Sequence, residues 1–187
     1  HRRTFDHPER YQFVDVSQNN HNKGEQHWEN FLWVRNYLAT SPRPINTVKT
    51  YGADGNKFGH SDRDGLERFW RHLIGGAASA RFHRPDSGLG LSDAAIASIK
   101  SARKLESLIK LWEINPAQHL LAERDENEAY LAATPGHAYA LYFTDGGSVS
   151  LDLTNTPEVF QIRWINGGTG NWGPTGIVKG GAKSRIT

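Results

Sequence analysis

The hydrophobic pattern of this chain changes period once, near residue 116, and that change limits the folds open to it. Before it, short β-rich runs alternate with segments of helical period. After it, apolar residues recur at every second position. Alternating strands and helices lead to a parallel sheet covered by helices, whereas a series of short alternating strands leads to antiparallel sheets packed on one another. The expected fold class is α/β followed by all-β, with residues 1–115 and 116–187 as the two domains. A chain of 187 residues has room for two small domains. It is too short for a closed eight-fold β/α barrel, which needs roughly 200 residues or more.

In the first part, Tyr11–Ser17, Pro44–Tyr51 and Ala77–His83 read as strands. Gly24–Ala39 reads as a helix through Trp28, Phe31, Leu32, Arg35 and Leu38. A second helix starts near Asp64, where Asp64 and Glu67 have capping-box spacing. It carries Leu66, Phe69, Trp70, Leu73 and Ile74 on one stripe and stops at Gly75-Gly76. The third helix, Asp93–Glu113, follows the N-cap candidate Ser92 and turns Ile96, Ile99, Ala102, Leu105, Ile109 and Trp112 toward the core. In the second part, Glu128–Ala133, His137–Thr144, Ser148–Thr154 and Glu158–Ile165 read as strands, with one more near Gly176–Lys179. Asp145-Gly146-Gly147 has the composition of a hairpin turn. Three βα units leave strand edges open, and the chain contains no Met, not even at its first position. Both features lead us to expect a fragment of a longer protein, so the lack of a leader carries no information about compartment.

Composition narrows the chemistry. Lys and Arg number 22 against 20 Asp and Glu, with no basic run, so no nucleic-acid partner is expected. No apolar stretch approaches the roughly 18 residues of a membrane span. With no Cys there is no disulfide, thiolate metal site or Cys nucleophile. Nine His occur without an H-E-x-x-H, and G-x-S-x-G is missing. Asp54-Gly55-Asn56 opens like a calcium loop, but Phe58 and Gly65 stand where ligands belong. Gly88-Leu89-Gly90 opens like a dinucleotide loop, but Asp93 replaces the third glycine and puts negative charge where a pyrophosphate would sit. Neither a metal nor a cofactor is expected.

Residues spread along the chain carry a family resemblance. Arg68-Phe69-Trp70 followed by Gly75-Gly76-Ala77-Ala78, then the long helix with Pro116 and Leu120-Leu121 behind it, resemble the last helix-to-strand passage of the apiosidase-like glycoside hydrolases. Ala129-Tyr130-Leu131-Ala132, Tyr139-Ala140-Leu141-Tyr142-Phe143, Val149-Ser150-Leu151-Asp152-Leu153 and Arg163-Trp164 resemble that family's small C-terminal β-sandwich, which carries a collagen-binding label. The resemblance covers roughly residues 11 to 175. It implies that residues 1–115 are the last three βα units of a TIM-like (β/α)8 barrel. Tyr11–Ser17 would be strand six, Pro44–Tyr51 strand seven and Ala77–His83 strand eight. It also implies a glycosidase, secreted or periplasmic, whose missing N-terminal barrel half lies elsewhere in the parent chain.

A glycosidase works with two carboxylates, one as acid and one as nucleophile or base, set at the carboxyl ends of barrel strands. In the resembled family, an Asn on strand seven is followed two residues later by a catalytic Glu. Here Asn46 is followed by Val48, which cannot transfer a proton. Asp15 and Asp54 are the substitute carboxylates, each with a turn-forming role as the alternative. Gln18, Asn19 and Asn20 follow strand six, where amides suit sugar hydroxyls, or they form an ordinary polar turn. Lys49 and Tyr51 share one parity at the end of strand seven, and Arg81 and His83 another at the end of strand eight. They would bind an acidic sugar or phosphate, or pair internally with Asp54, Asp62 and Asp86. Trp28, Trp70, Trp112 and Trp164 fall on apolar stripes and read as core; Trp172 is the best candidate for an exposed aromatic platform. The expected function is a glycoside hydrolase-like protein acting on a carbohydrate ligand. The alternatives are a non-catalytic carbohydrate-binding protein on the same scaffold and a self-sufficient interaction module.

Overall fold

The structure, a computed structural model, describes residues 2–18, 21–51, 61–84 and 89–187. The chain divides into two compact units, His1–Ala95 and Ile96–Thr187. The division falls earlier than the expected boundary at residue 115, inside the helix Asp93–Glu106. The reason is that this helix docks on the second unit through its small residues, as described below.

The first unit runs α1 (Arg2–Phe5), β1 (Val14–Asp15), α2 (Gly24–Tyr37), β2 (Ile45–Thr50), α3 (Asp62–Ile74) and β3 (Ser79–Phe82). The three strands form one parallel sheet in the order β1-β2-β3. Val14, Val16 and Ile45 pack with Phe31 and Val34 of α2, with Leu38 that caps it, and with Phe5 of α1. The strand expected over Tyr11–Ser17 contracts to two residues, with Phe13 turned to solvent, although Val14 and Val16 donate backbone hydrogen bonds to Pro44 and Asn46. Helix α3 starts earlier than the Asp64–Glu67 spacing suggested. Ser61 is its N-cap, and its hydroxyl accepts from the Asp64 N–H at 3.1 Å. Gly75 ends α3 where a Cβ would fall 2.7 Å from Phe31 Cδ1, and Gly76 turns the chain with φ +85°.

Arg43 closes this unit at its beginning. Its Nη1 donates to the carbonyls of Thr4 at 3.2 Å and Tyr11 at 2.9 Å, and its Nη2 donates to that of Phe5 at 2.6 Å. One guanidinium thus satisfies carbonyls at the end of α1 and ahead of β1. We expect Arg43→Ala to lower stability by about 2–3 kcal/mol, given three hydrogen bonds to a charged group. Arg43→Lys should recover little, because an ammonium lacks the fork that spans three carbonyls. Urea denaturation of both variants checks this.

The second unit contains most of α4 (Asp93–Glu106), then β4 (Asn115–Pro116), β5 (Leu121–Ala122), β6 (Ala129–Thr134), β7 (Ala138–Phe143), β8 (Val149–Asp152), β9 (Val159–Ile165), β10 (Trp172–Lys179) and β11 (Lys183–Ile186). Every strand pairing in it is antiparallel, in three sheets ordered β4-β6-β7, β11-β8-β5 and β10-β9. Leu131, Val149, Leu151, Leu153 and Ile186 form its buried core, with Leu141, Phe160, Ile162 and Trp164 packed on them.

Three expectations change here. Asp145-Gly146-Gly147 is not the turn of a paired hairpin. Strand β7 pairs with β6 and β8 with β5 and β11, so the segment carries the chain between sheets. Glu128 clamps it by accepting from the Asp125 and Ser148 N–H groups, which hold its carboxyl below the usual range. Second, α4 ends at Glu106 rather than Glu113, with the Ser107 hydroxyl on the Lys104 carbonyl. Third, its buried face is Ala95, Ser98, Ser101 and Ala102, while Ile96, Ile99 and the following Trp112 are exposed. Small residues let the 166–170 loop approach closely. The Ser98 hydroxyl donates to the Gly167 carbonyl at 3.0 Å, and that of Ser101 to Asn166 at 3.1 Å.

Candidate functional site

Strand pairing aligns Asp15, Asn46 and Ser79 in one row across the parallel sheet. Val14 and Ile45, one residue earlier, are buried beneath α2, so by alternation this row faces away from the helices. Asp15 and Ser79 are exposed, and the Ser79 hydroxyl donates to Asn46 Oδ1 at 3.0 Å. On the opposite face Thr47 is buried and donates to the Ser79 carbonyl. The pairing then slips by one. Thr47 lies opposite Ala80 but Thr50 opposite Phe82, so Val48 and Lys49 together oppose Arg81. Thr50 is fully buried, and Phe82 stacks on Phe69 of α3 at 4.8 Å. One residue further on, Tyr51 and His83 meet with ring centroids 4.7 Å apart.

The carboxyl ends of β2 and β3 bring Lys49, Tyr51, Arg81 and His83 together through this extra residue, because unbroken parity from Thr47 and Ala80 would have put Tyr51 and His83 on opposite faces; Asn46 and Ser79 lie at the amino ends of the same strands. Lys49 and Arg81 are exposed, and among the described residues no carboxylate pairs with either. Val48 stands half-buried among them. Gln18 is directed elsewhere: its amide nitrogen donates to the His27 carbonyl at 2.7 Å, tying the loop after β1 to the first turn of α2. Asn19, Asn20 and Asp54 lie outside the described residues. Trp28 and Trp70 are buried as expected and Trp164 packs on the second core, but Trp112 is 71% exposed, because α4 ends before it.

Behind this face lies a group of residues that the sequence reading missed. Between α2 and α3, Asp64 accepts from Arg68 Nε at 2.9 Å, and Glu67 from Arg71 Nη1 at 3.1 Å. Arg71 Nε also lies 3.3 Å from His27 Nδ1, and the His27 and His72 rings are 4.5 Å apart. The Arg68 and Arg71 side chains are 2% and 0% exposed. Burial, with the charges of His72, Arg71 and Arg68 around it, holds His27 well below the ordinary imidazole range. Burial, then Arg71 and Arg68, push His72 down to about 3. Both imidazoles are neutral at physiological pH. The signal for this network was in the sequence: Asp64–Arg68 and Glu67–Arg71 both have i,i+4 spacing. Hydropathy reads such a face as solvated.

No protein-family model matches the chain, and no curated protein sequence matches it. Among solved structures it is similar to a glycoside hydrolase family 5 protein from Bacteroides vulgatus ATCC 8482, with a TM-score of 0.65 and 13% identity. The likeness is one of fold. The match covers 94% of this chain and 47% of the other, so the chain spans about half the length of the structure it resembles.

Proposed function

We propose that this chain is part of a glycoside hydrolase-like protein and takes a glycoside or polysaccharide on the open face of the β1–β2–β3 sheet. The observation that supports this reading is the cluster of two cations and two rings, Lys49, Arg81, Tyr51 and His83, at the carboxyl ends of β2 and β3, the edge where α/β folds bind ligands. Lys49 and Arg81 offer N–H donors for sugar hydroxyls beside the Tyr51 and His83 rings. In this proposal the first unit is the last three βα units of a TIM-like barrel and the second a β-sandwich of the apiosidase-like type. The rest of the parent barrel supplies the remaining strands. Catalysis then needs two carboxylates about 5–10 Å apart across the cleft.

Val48 favours a second reading, in which the same face binds carbohydrate without cleaving it. Among the described residues Asp15 is the carboxylate of the row, and Val48 holds the position where the resemblance puts Glu. Calorimetric titration with neutral oligosaccharides tests the site. The Tyr51→Ala/Arg81→Ala double variant should bind roughly tenfold or more weakly, given the loss of a ring and a charged donor; unchanged affinity would remove the site from this face. Release of reducing ends by the wild type separates hydrolase from binder. Hydrolysis gained by Val48→Glu would show that the partner acid is in place.

A further inference from the structure

We propose that the second unit carries its own site for an acidic polysaccharide, built around Trp172. Arg163 Cζ lies 3.9 Å from the Trp172 ring centroid and Lys104 Nζ lies 5.4 Å from it. Among the described residues no carboxylate pairs with either cation. Two like charges gathered at one exposed indole without a counter-ion are held there by the scaffold rather than by each other. An acidic group arriving between them removes the repulsion.

The site is built in advance of any ligand. The loop from Asn166 to Asn171 is closed by a backbone bond from the Asn166 N–H to the Asn171 carbonyl at 2.9 Å, and Asn166 Oδ1 accepts from Gly168 and Thr169. Ser98 and Ser101 anchor its carbonyls to α4, and Lys104 Nζ donates to the Gly170 carbonyl at 2.5 Å. That bond fixes the ammonium and leaves two of its N–H groups free. Gly170 has φ +74° and lies against α4, where a Cβ would come 3.5 Å from the Ala97 carbonyl. Trp172 pairs with Ile165, and a register shift between Trp172 and Thr175 follows directly after it in the ladder of β9 and β10. A bulge of this kind re-aims a side chain. Stacking on the ring orders the Arg163 guanidinium while leaving its N–H edge open to fork onto a carboxylate or sulfate.

The surroundings favour a glycan over an acidic peptide. Along the exposed face of the β9–β10 ribbon, Thr175 lies opposite Arg163, Ile177 opposite Gln161 and Lys179 opposite Val159. Val159 and Ile177 are 63% and 74% exposed. A hydroxyl, an amide, apolar surface and a third cation follow in turn from the Trp172 end. This mixture suits a sugar chain whose rings show apolar faces and hydroxyl edges and whose acid groups recur. The choice of a glycan rests on the carbohydrate reading proposed above; the anionic character rests on Lys104, Arg163 and Lys179 alone.

The test is titration of the full chain with oligogalacturonate, with a neutral glucan and poly-glutamate as comparison probes, at low and high ionic strength. Oligogalacturonate should bind, and the affinity should fall with salt. Arg163→Gln/Lys104→Gln should lose roughly tenfold or more in affinity while circular dichroism shows the fold retained. Arg163→Lys should fall between, keeping charge and losing the fork. The loss caused by Arg163→Gln/Lys104→Gln should be the same size when it is made in the Tyr51→Ala/Arg81→Ala background, which separates this site from the one on the first unit; a loss that vanishes in that background would overturn the proposal. No binding by the wild type, or undiminished binding by the double glutamine variant, would overturn the proposal. Equal affinity for poly-glutamate would also overturn it, reassigning the patch to an acidic protein partner.

Discussion

Replacing Glu67 with alanine is expected to destabilise the first unit by about 3–5 kcal/mol, the range for removing one member of a buried ion pair. The effect arises from what is left behind. Arg71 has no exposed side-chain surface, and Glu67 accepts from its Nη1 at 3.1 Å. Without that carboxylate a guanidinium stays in a poorly hydrated place beside Arg68 and two imidazoles. A loss of this size is a large share of the roughly 5–15 kcal/mol that holds a domain folded. Glu67 also accepts from Arg63 Nε at 2.9 Å, but Arg63 is 59% exposed. Arg63→Ala should therefore cost less than about 1 kcal/mol. Denaturant midpoints of the two variants measure the contrast. Similar losses from both would mean that the Glu67–Arg71 pair is not shielded from water.

Acid should weaken the fold well before its carboxylates titrate. His27 and His72 are neutral in the folded chain, with His72 pushed down to about 3 from an ordinary value of 6.5. As pH falls below about 6.5, the unfolded chain takes up protons at these residues and the folded chain does not. Stability therefore declines with falling pH, by about 1.4 kcal/mol per pH unit for each histidine. The decline continues toward pH 3, where His72 itself protonates. The groups facing the pair are Arg71, Arg68 and the acids Asp64 and Glu67 on α3; the acids are engaged by the arginines. Urea midpoints between pH 7 and 5 should show the slope, and His72→Leu should remove about half of it. A slope that survives in that variant would assign the acid sensitivity to other groups.

What the sequence disclosed follows from how local each signal is. The strand and helix order of the first unit was legible, because Gly75-Gly76 and the apolar stripes act within a few residues. That Lys49 and Tyr51, and Arg81 and His83, end neighbouring strands was legible, but their meeting depends on the extra residue at Val48–Lys49, which no local signal announces. Partner choice is not local. An Asp-Gly-Gly turn has the same composition whether its flanking strands pair or part, and the contact that accompanies the second outcome comes from Glu128, distant in sequence but hydrogen-bonded to the Ser148 N–H. Helix α4 shows the same limit. Its isoleucines have helical spacing, yet the small face wins the interior because serine hydroxyls can satisfy the carbonyls of the 166–170 loop. The buried ion pairs of α3 were hidden because charge is read as exposure until a partner four residues away is placed against a second helix.

Two residues of β2, Val48 and Lys49, face one residue of β3. The pairings on either side, Thr47 with Ala80 and Thr50 with Phe82, are regular. The strand thus carries one residue more than its neighbour requires, at the edge of the candidate site. Removing one of the two would restore one-to-one pairing between Thr47 and Thr50, with Thr50 still opposite Phe82. The extra residue sits outside the one-to-one ladder, so the side chain at the mouth of the sheet is set apart from the pairs that hold the framework.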